Sequence, residues 1–363
     1  MEKIINILTK YRLLVIFLVL LIPYLLFYPI KYANVDEHDY ILNSRNIIEG
    51  SLHMDCNKEG YRVSDFCVSK YNIGTSIFLV PSMLISENLT FLTTFVIFFL
   101  SIVIFDKLLQ IYGINKIYLY YFSFFPAFIY FTRTVFSEPY SLFLLLLSVY
   151  LLALYSKNNK NTYLVLLGIS LSALAFVRYS LIPIDIVFVL YLLLRFKKKS
   201  LITIASALPL VIAFLVFNNY MYGSPLRSGY YYSKEEFSFS LTTFLTVLPK
   251  YLVSLNVIYP FILIGAFFSK INIKKLILTS TVLLLLYYSL TGLNAYVFEG
   301  RVLDLILGVR FFVPIIPLIM LLYFEVIQRR FKIPDILHLL SISGLILVSI
   351  AIHIVHNNFL LSI

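Results

Sequence analysis

Apolar residues in this chain come in long unbroken runs rather than alternating with polar ones. Eleven runs stand out, near residues 13–30, 88–105, 117–131, 138–155, 162–177, 180–194, 200–218, 244–268, 276–290, 309–324 and 335–355. Runs of this kind have the length an α-helix needs to cross a bilayer, about 20 residues at about 1.5 Å each. A further run, 71–86, is shorter and holds Gly74 and Pro81. It reads as an interfacial or re-entrant piece rather than a crossing. The pattern predicts an all-α, polytopic membrane helical bundle of about 11 transmembrane helices. Residues 1–363 form a single integral membrane domain in this reading. Interfacial helices lie in a first extracytoplasmic loop, 31–87, and a second loop covers 219–243. The run at 13–30 follows Lys3, Lys10 and Arg12 and offers no small-residue cleavage site, so it is expected to stay as an anchor.

Composition sharpens this picture. Hydrophobic residues make up 61% of the chain and charged residues only 13%, against about 25% charged in soluble domains. If 71–86 does not cross, the basic clusters "DKLLQIYGINK", "SKNNKN", "RFKKK", "KINIKK" and "QRRFK" all share a side with the N-terminus. The positive-inside rule then puts the N-terminus in the cytoplasm and the long loops outside. The net charge of +11 is accounted for by this topology, so the basicity gives no case for nucleic-acid binding. The expected location is the cell membrane, with membrane lipids as neighbours.

The inner connections are short, whereas 31–70, 219–243 and 291–308 are long and external. A site is therefore expected where outer loops meet the membrane surface. That place suits a substrate with an oily tail in the bilayer and a polar head in water. The only two cysteines, Cys56 and Cys67, fall in the first loop. The oxidising outer face permits a disulfide, whose short loop is worth roughly 3 kcal/mol; two free thiols are the other reading. Two cysteines alone do not make a structural zinc site.

The stretch "NVDEHDYILNSRNIIEG", residues 34–50, places Asp36, Glu37 and Asp39 within one helical turn at the exit of the first run. Asp36 can be an N-cap, with Asp39 at the third helical position and Gly50 ending the helix. It can equally be a catalytic carboxylate. Glu138, in "RTVFSEPYSLF", is either a charge near a second helix start or a site residue. Arg178, in "LAFVRYSLIPID", and Arg310, in "GVRFFVPIIPL", sit at outer membrane boundaries. Arginine there either snorkels or grips a phosphate through charge-assisted contacts. The tyrosines of "FNNYMYGSPLRSGYYYSKEEF" form an interfacial aromatic belt or a platform for a sugar ring. His38 and His53 read as ordinary loop histidines.

Five segments together resemble a known family. "VDEHDYILNSRNIIEG", "KYNIGTSIFLVP", "RTVFSEPYSLFLLLLSVYLL", "NNYMYGSPLRSGY" and "GVRFFVPIIPLIML" are similar, in this order, to motifs of GT-C superfamily glycosyltransferases. The likeness is to the branch of protein mannosyltransferases and lipid A aminoarabinose transferases. Asn72 and Ile73 stand where that family carries prolines, and no soluble domain follows the spans in this sequence. The resemblance implies a polyprenyl-phosphate sugar (dolichyl phosphate in some relatives) as donor and a lipid, glycan or protein as acceptor. It implies an inverting transfer with Asp36 as general base. Lys70 and Tyr71 would contact the donor, and Arg310, Arg178 and Lys70 would receive the leaving phosphate. Glu37 and Glu138 would orient the acceptor or share a divalent metal ion, which only some relatives use, so the metal stays open. Two other readings remain: a transporter or flippase for lipid-linked saccharides, which would place ionisable groups along a central path, and a polymerase of such saccharides.

Overall fold

The computed structural model describes residues 2–32, 34–52, 61–62, 67–231, 241–291 and 308–362. These form an all-α fold. Its helices are α1 (Glu2–Lys10), α2 (Arg12–Leu26), α3 (Val35–Ile48), α4 (Ile73–Met83), α5 (Thr90–Ile111), α6 (Tyr118–Ser123), α7 (Pro126–Thr132) and α8 (Ser137–Asn158). They continue with α9 (Asn161–Val177), α10 (Ile182–Phe196), α11 (Ser200–Tyr222), α12 (Leu241–Ile258), α13 (Ile262–Phe267), α14 (Lys274–Thr291), α15 (Ile316–Arg330) and α16 (Asp335–Ser362). Among the described residues the only strand pairing is a two-residue antiparallel ladder, Tyr61–Arg62 with Cys67–Val68.

Among the described residues four stretches are long and apolar enough to cross a membrane: Glu87–Ile111, Ser137–Asn158, Tyr179–Tyr222 and Asp335–Asn358. The third is 44 residues long and is interrupted at Lys197–Lys199, where Lys197 takes a positive φ of 47°. Three consecutive lysines, the first at positive φ, separate α10 from α11 there. Two of the runs expected to cross are not single helices. Run 117–131 splits into α6 and α7 at Pro126, whose missing N–H cannot continue α6. Run 244–268 splits into α12 and α13 after Pro260, with Phe261 at φ 61°. The ambiguous run becomes α4, 11 residues long, about 16 Å of helix and short of a hydrocarbon core of about 30 Å.

The chain divides into two compact units. One comprises residues 1–29, 97–133 and 238–363, the other 30–96 and 134–237. In the first, the Arg12 guanidinium meets Asp106 in a bidentate pair, Nε–Oδ1 2.5 Å and Nη2–Oδ2 2.7 Å. Asp106 is buried and also accepts from Gln110 at 2.5 Å, so the charge is neutralised where α2 and α5 begin and end. Tyr118 stacks on Phe324 with ring centroids 4.7 Å apart, tying α6 to α15. In the second unit, α9 packs against α8 and α11. Ser148 donates to Ser170 (3.0 Å), and Ser170 donates to the Leu144 carbonyl (3.0 Å), so polar groups on α8 and α9 satisfy one another. Helix α4 lies along α3 and meets α9 through Asn72, whose Nδ2 donates to the Ala175 carbonyl at 3.1 Å.

Candidate active site

Helix α3 carries the first part of the site, and its caps explain which acid does what. Asn34, not Asp36, is the N-cap, with extended backbone at φ −142°, ψ 155°. Glu37 is the third helical residue, and its Oε2 accepts from the Asn34 amide at 3.2 Å, the return half of a capping box. Its Oε1 accepts from the Val135 amide at 2.8 Å, and the side chain is buried. The expectation of Asp36 as N-cap with Asp39 at the third position is thus corrected by two residues. At the other end, Gly50 takes φ +74°. Its N–H bonds the Ile47 carbonyl (3.2 Å) and that of Ser51 the Asn46 carbonyl (2.8 Å), a Schellman ending that needs the left-handed residue glycine supplies.

Relieved of capping, Asp36 sits half-exposed one position before Glu37. The Tyr71 hydroxyl donates to its Oδ1 at 2.5 Å. Burial, then the neighbouring Asp36 charge and this hydrogen bond, push the Tyr71 phenol well above its ordinary range. Tyr71 therefore keeps its proton and acts as a donor to the carboxylate. Asp39, on the same face, holds Tyr71 indirectly. Ser69 Oγ donates to Asp39 Oδ2 at 3.1 Å and accepts from the Tyr71 amide at 3.0 Å. Lys70 places its ammonium 5.3 Å from the Tyr71 ring centroid and 5.4 Å from that of Tyr230, a cation held over two aromatic faces. Tyr230 reaches this point because Gly229 lies flat on the Ser69–Lys70 backbone; a Cβ there would come within 2.2 Å of the Ser69 carbonyl oxygen.

The second part of the site starts α8. Pro139 in the first turn needs no N–H partner, so the helix can open as Ser137-Glu138-Pro139. Glu138 is completely buried and pairs with Arg178, Nη1 to Oε1 2.8 Å. Arg178 occupies the extended residue between α9 and the turn Tyr179–Leu181. Its Nη1 also donates to Ser137 Oγ (3.1 Å) and its Nε to Ser180 Oγ (3.2 Å). Tyr40 of α3 joins the two parts. It is buried, its ring lies 5.3 Å from that of Tyr71, and it hydrogen-bonds Ser137. Burial raises its pKa; the bond to Ser137 works against this, and the charges of Asp36 and Glu138 add to the rise.

No family model, curated protein or solved structure matches this chain.

Of the residues singled out in the sequence, the second unit alone brings together Asp36, Glu37, Lys70, Tyr71, Glu138 and Arg178. Glu37 is taken up by two backbone amides and serves as the anchor of the site rather than a group facing a substrate. Arg178, expected to receive phosphate, is committed to Glu138, because a buried carboxylate needs a counterion. Lys70, over the rings of Tyr71 and Tyr230, lies in the same unit. Arg310 belongs to the first unit, half-buried at the start of the turn Arg310–Phe312. Cys67 is buried and disulfide-bonded, whereas Cys56 and His53 lie outside the described residues. Among the described residues no three His, Cys, Asp or Glu side chains gather as metal ligands would.

Tyr40 and Tyr230 are functional candidates that the sequence pattern did not single out. Tyr230 belongs to the loop whose tyrosines read as an aromatic belt or a sugar platform, and Tyr40 stands within the acidic stretch 34–50. A pocket beside Tyr71, lined by Asn43, Ser69, Phe217, Met221 and Tyr222 among others, has room for about one water molecule.

Proposed function

We propose that the chain is a membrane glycosyltransferase of the GT-C kind, spanning the bilayer about eleven times with its N-terminus in the cytoplasm. It transfers a sugar from a polyprenyl-phosphate donor to an acceptor hydroxyl on the extracytoplasmic side, inverting the anomeric carbon. The observation that carries this reading is the division of labour between neighbouring acids. Glu37 is used up by the backbone, while Asp36 stays half-exposed and is held by Tyr71, over whose ring the Lys70 cation lies. In the reaction the acceptor oxygen bonds the anomeric carbon and its proton passes to the Asp36 carboxylate. The bond from the anomeric carbon to phosphate oxygen breaks, and the phosphate leaves with an added negative charge that Lys70 balances. One base suffices, because inversion needs no carboxylate nucleophile. Tyr71 fixes the carboxylate rotamer, and Glu138–Arg178 holds the surrounding helix starts in place. The Arg12–Asp106 pair fits the topology, since both residues fall at the cytoplasmic ends of their expected spans.

The test uses purified protein in lipid with a panel of radiolabelled polyprenyl-phosphate sugars, comparing wild type with Asp36→Asn. The asparagine keeps size and shape while removing the base. Turnover is expected to fall by about 10²–10⁴-fold, with donor binding and folding retained. Unchanged turnover in Asp36→Asn would refute the assignment of the base. Failure of the wild type to bind any donor would move a transporter of lipid-linked saccharides to the front.

A further inference from the structure

The first unit contains a buried cation that the Asp36 cluster does not use. Arg133, between α7 and α8, is 0% exposed. Its Nη2 donates to the Phe27 carbonyl just past α2 at 2.5 Å, and its Nε donates to His356 Nδ1 on α16 at 3.3 Å. His356 is 4% exposed. No carboxylate pairs with Arg133 among the described residues. Burial draws its pKa down to about 10, so it stays charged at neutral pH.

A count of donors shows what is missing. The Arg133 Nε–H can only donate, so His356 Nδ1 accepts, and the neutral imidazole carries its proton on Nε2. That Nε2 is buried with no hydrogen-bond partner, and so is Arg133 Nη1 with its two N–H groups. Three N–H donors thus lack a hydrogen-bond partner, as does the buried hydroxyl of Tyr24, and the positive charge meets no carboxylate among the described residues. Buried polar groups are nearly always satisfied, and an isolated buried charge costs several kcal/mol. A water molecule would satisfy the hydrogen bonds but leave the charge uncompensated. An anion with several oxygens does both.

We propose that Arg133 and His356 form an oxyanion site for a phosphate group at the outer membrane boundary. The expected topology brings the end of α2, the segment after α7 and the end of α16 to that boundary. The lining is aromatic, with the Tyr130 ring 5.3 Å from that of His356, and Val355 beside His356 faces outward, 63% exposed. An apolar tail has a surface to follow, so a phosphate carried by a lipid fits better than free phosphate. Both orphan atoms are closed off in this conformation, so the ligand enters by displacing a lining side chain.

Binding of three probes to the full chain in detergent would test this: a long-chain polyprenyl monophosphate, phosphatidylglycerol and inorganic phosphate. All measurements use a Lys70→Met background, so that the Asp36 cluster adds no phosphate affinity. At least one lipid phosphate is expected to bind, with affinity reduced at least about 10-fold in Arg133→Gln, and less in Arg133→Lys, which keeps the charge but loses the fork. His356→Phe removes one donor and leaves the Arg133–Phe27 bond; it is expected to weaken binding by about 10-fold, the scale of one hydrogen bond to a charged group. This variant decides the matter if Arg133→Gln does not fold. Binding of inorganic phosphate with the same sensitivity would keep the oxyanion site and make free phosphate its ligand. Absence of binding by all three probes, or equal affinity in folded Arg133→Gln or His356→Phe, would overturn the proposal. Because the readout is binding rather than turnover, it stands or falls separately from the transferase reading.

Discussion

Replacing Arg178 by methionine separates two roles for this residue, counterion of Glu138 or ligand of a phosphate. The side chains of Arg178 and Glu138 are 10% and 0% exposed, and the charged atoms meet at 2.8 Å. Removing one partner of such a pair leaves a charge with no solvent to receive it, at a cost of about 3–5 kcal/mol. Two further hydrogen bonds, to Ser137 and Ser180, disappear as well; these are worth about 1 kcal/mol each. Glu138 can relieve part of the loss by taking up a proton, so the low end, about 3 kcal/mol, is expected at neutral pH. Arg178→Met with Glu138→Gln removes both charges and is expected to cost less than Arg178→Met alone. The assay is reversible unfolding in mixed micelles for the wild type, both single variants and the double, read as a double-mutant cycle. Stability of Arg178→Met within about 0.5 kcal/mol of wild type, the range of surface substitutions, would refute the counterion argument. A loss of donor binding in the same stable variant would return Arg178 to the substrate.

Two other substitutions probe the geometry around Asp36. Tyr71→Phe deletes the hydroxyl that donates to Asp36 and is expected to lower kcat by about 10–100-fold, the worth of a hydrogen bond to a charged group, with donor affinity little changed in binding measurements. Gly229→Ala forces a methyl group into the Ser69–Lys70 backbone, 2.2 Å from the Ser69 oxygen. It should shift Tyr230 and Lys70 together and raise the KM for donor more than it lowers kcat, which initial-rate kinetics would show; an unchanged KM would mean that Lys70 does not meet the donor.

The sequence pattern made much of this legible, and the exceptions have physical causes. Long apolar runs announced the helices, and Gly50 announced the end of α3, because only a left-handed residue closes a helix that way. The start of α3 lies two residues before the expected one. Asn34, Asp36 and Asp39 are all good caps, and which one caps depends on Val135, distant in sequence, claiming the Glu37 carboxylate. Arg178 looked like a phosphate ligand because its partner, Glu138, lies forty positions away. The breaks at Pro126 and Pro260 were visible as prolines, yet apolarity alone cannot tell a kinked span from two short helices. Arg133 is, in sequence, one charge at the end of the run "FPAFIYFT". Its meaning comes from His356, which "AIHIVHNN" hides within an apolar stretch.

The capping of α3 by Asn34 and Glu37 has a consequence for how this site can vary. Each residue of a helix is turned about 100° from the one before it. Inserting or deleting a single residue between Asn34 and Glu37 would swing Asp36 out of reach of Tyr71, or break the return bond to Asn34. The aim of this candidate site therefore depends on a fixed spacing, Asn-x-Asp-Glu, at the start of α3. A chain that kept the acidic pair but lost the asparagine two positions earlier would keep the composition of the site without its aim.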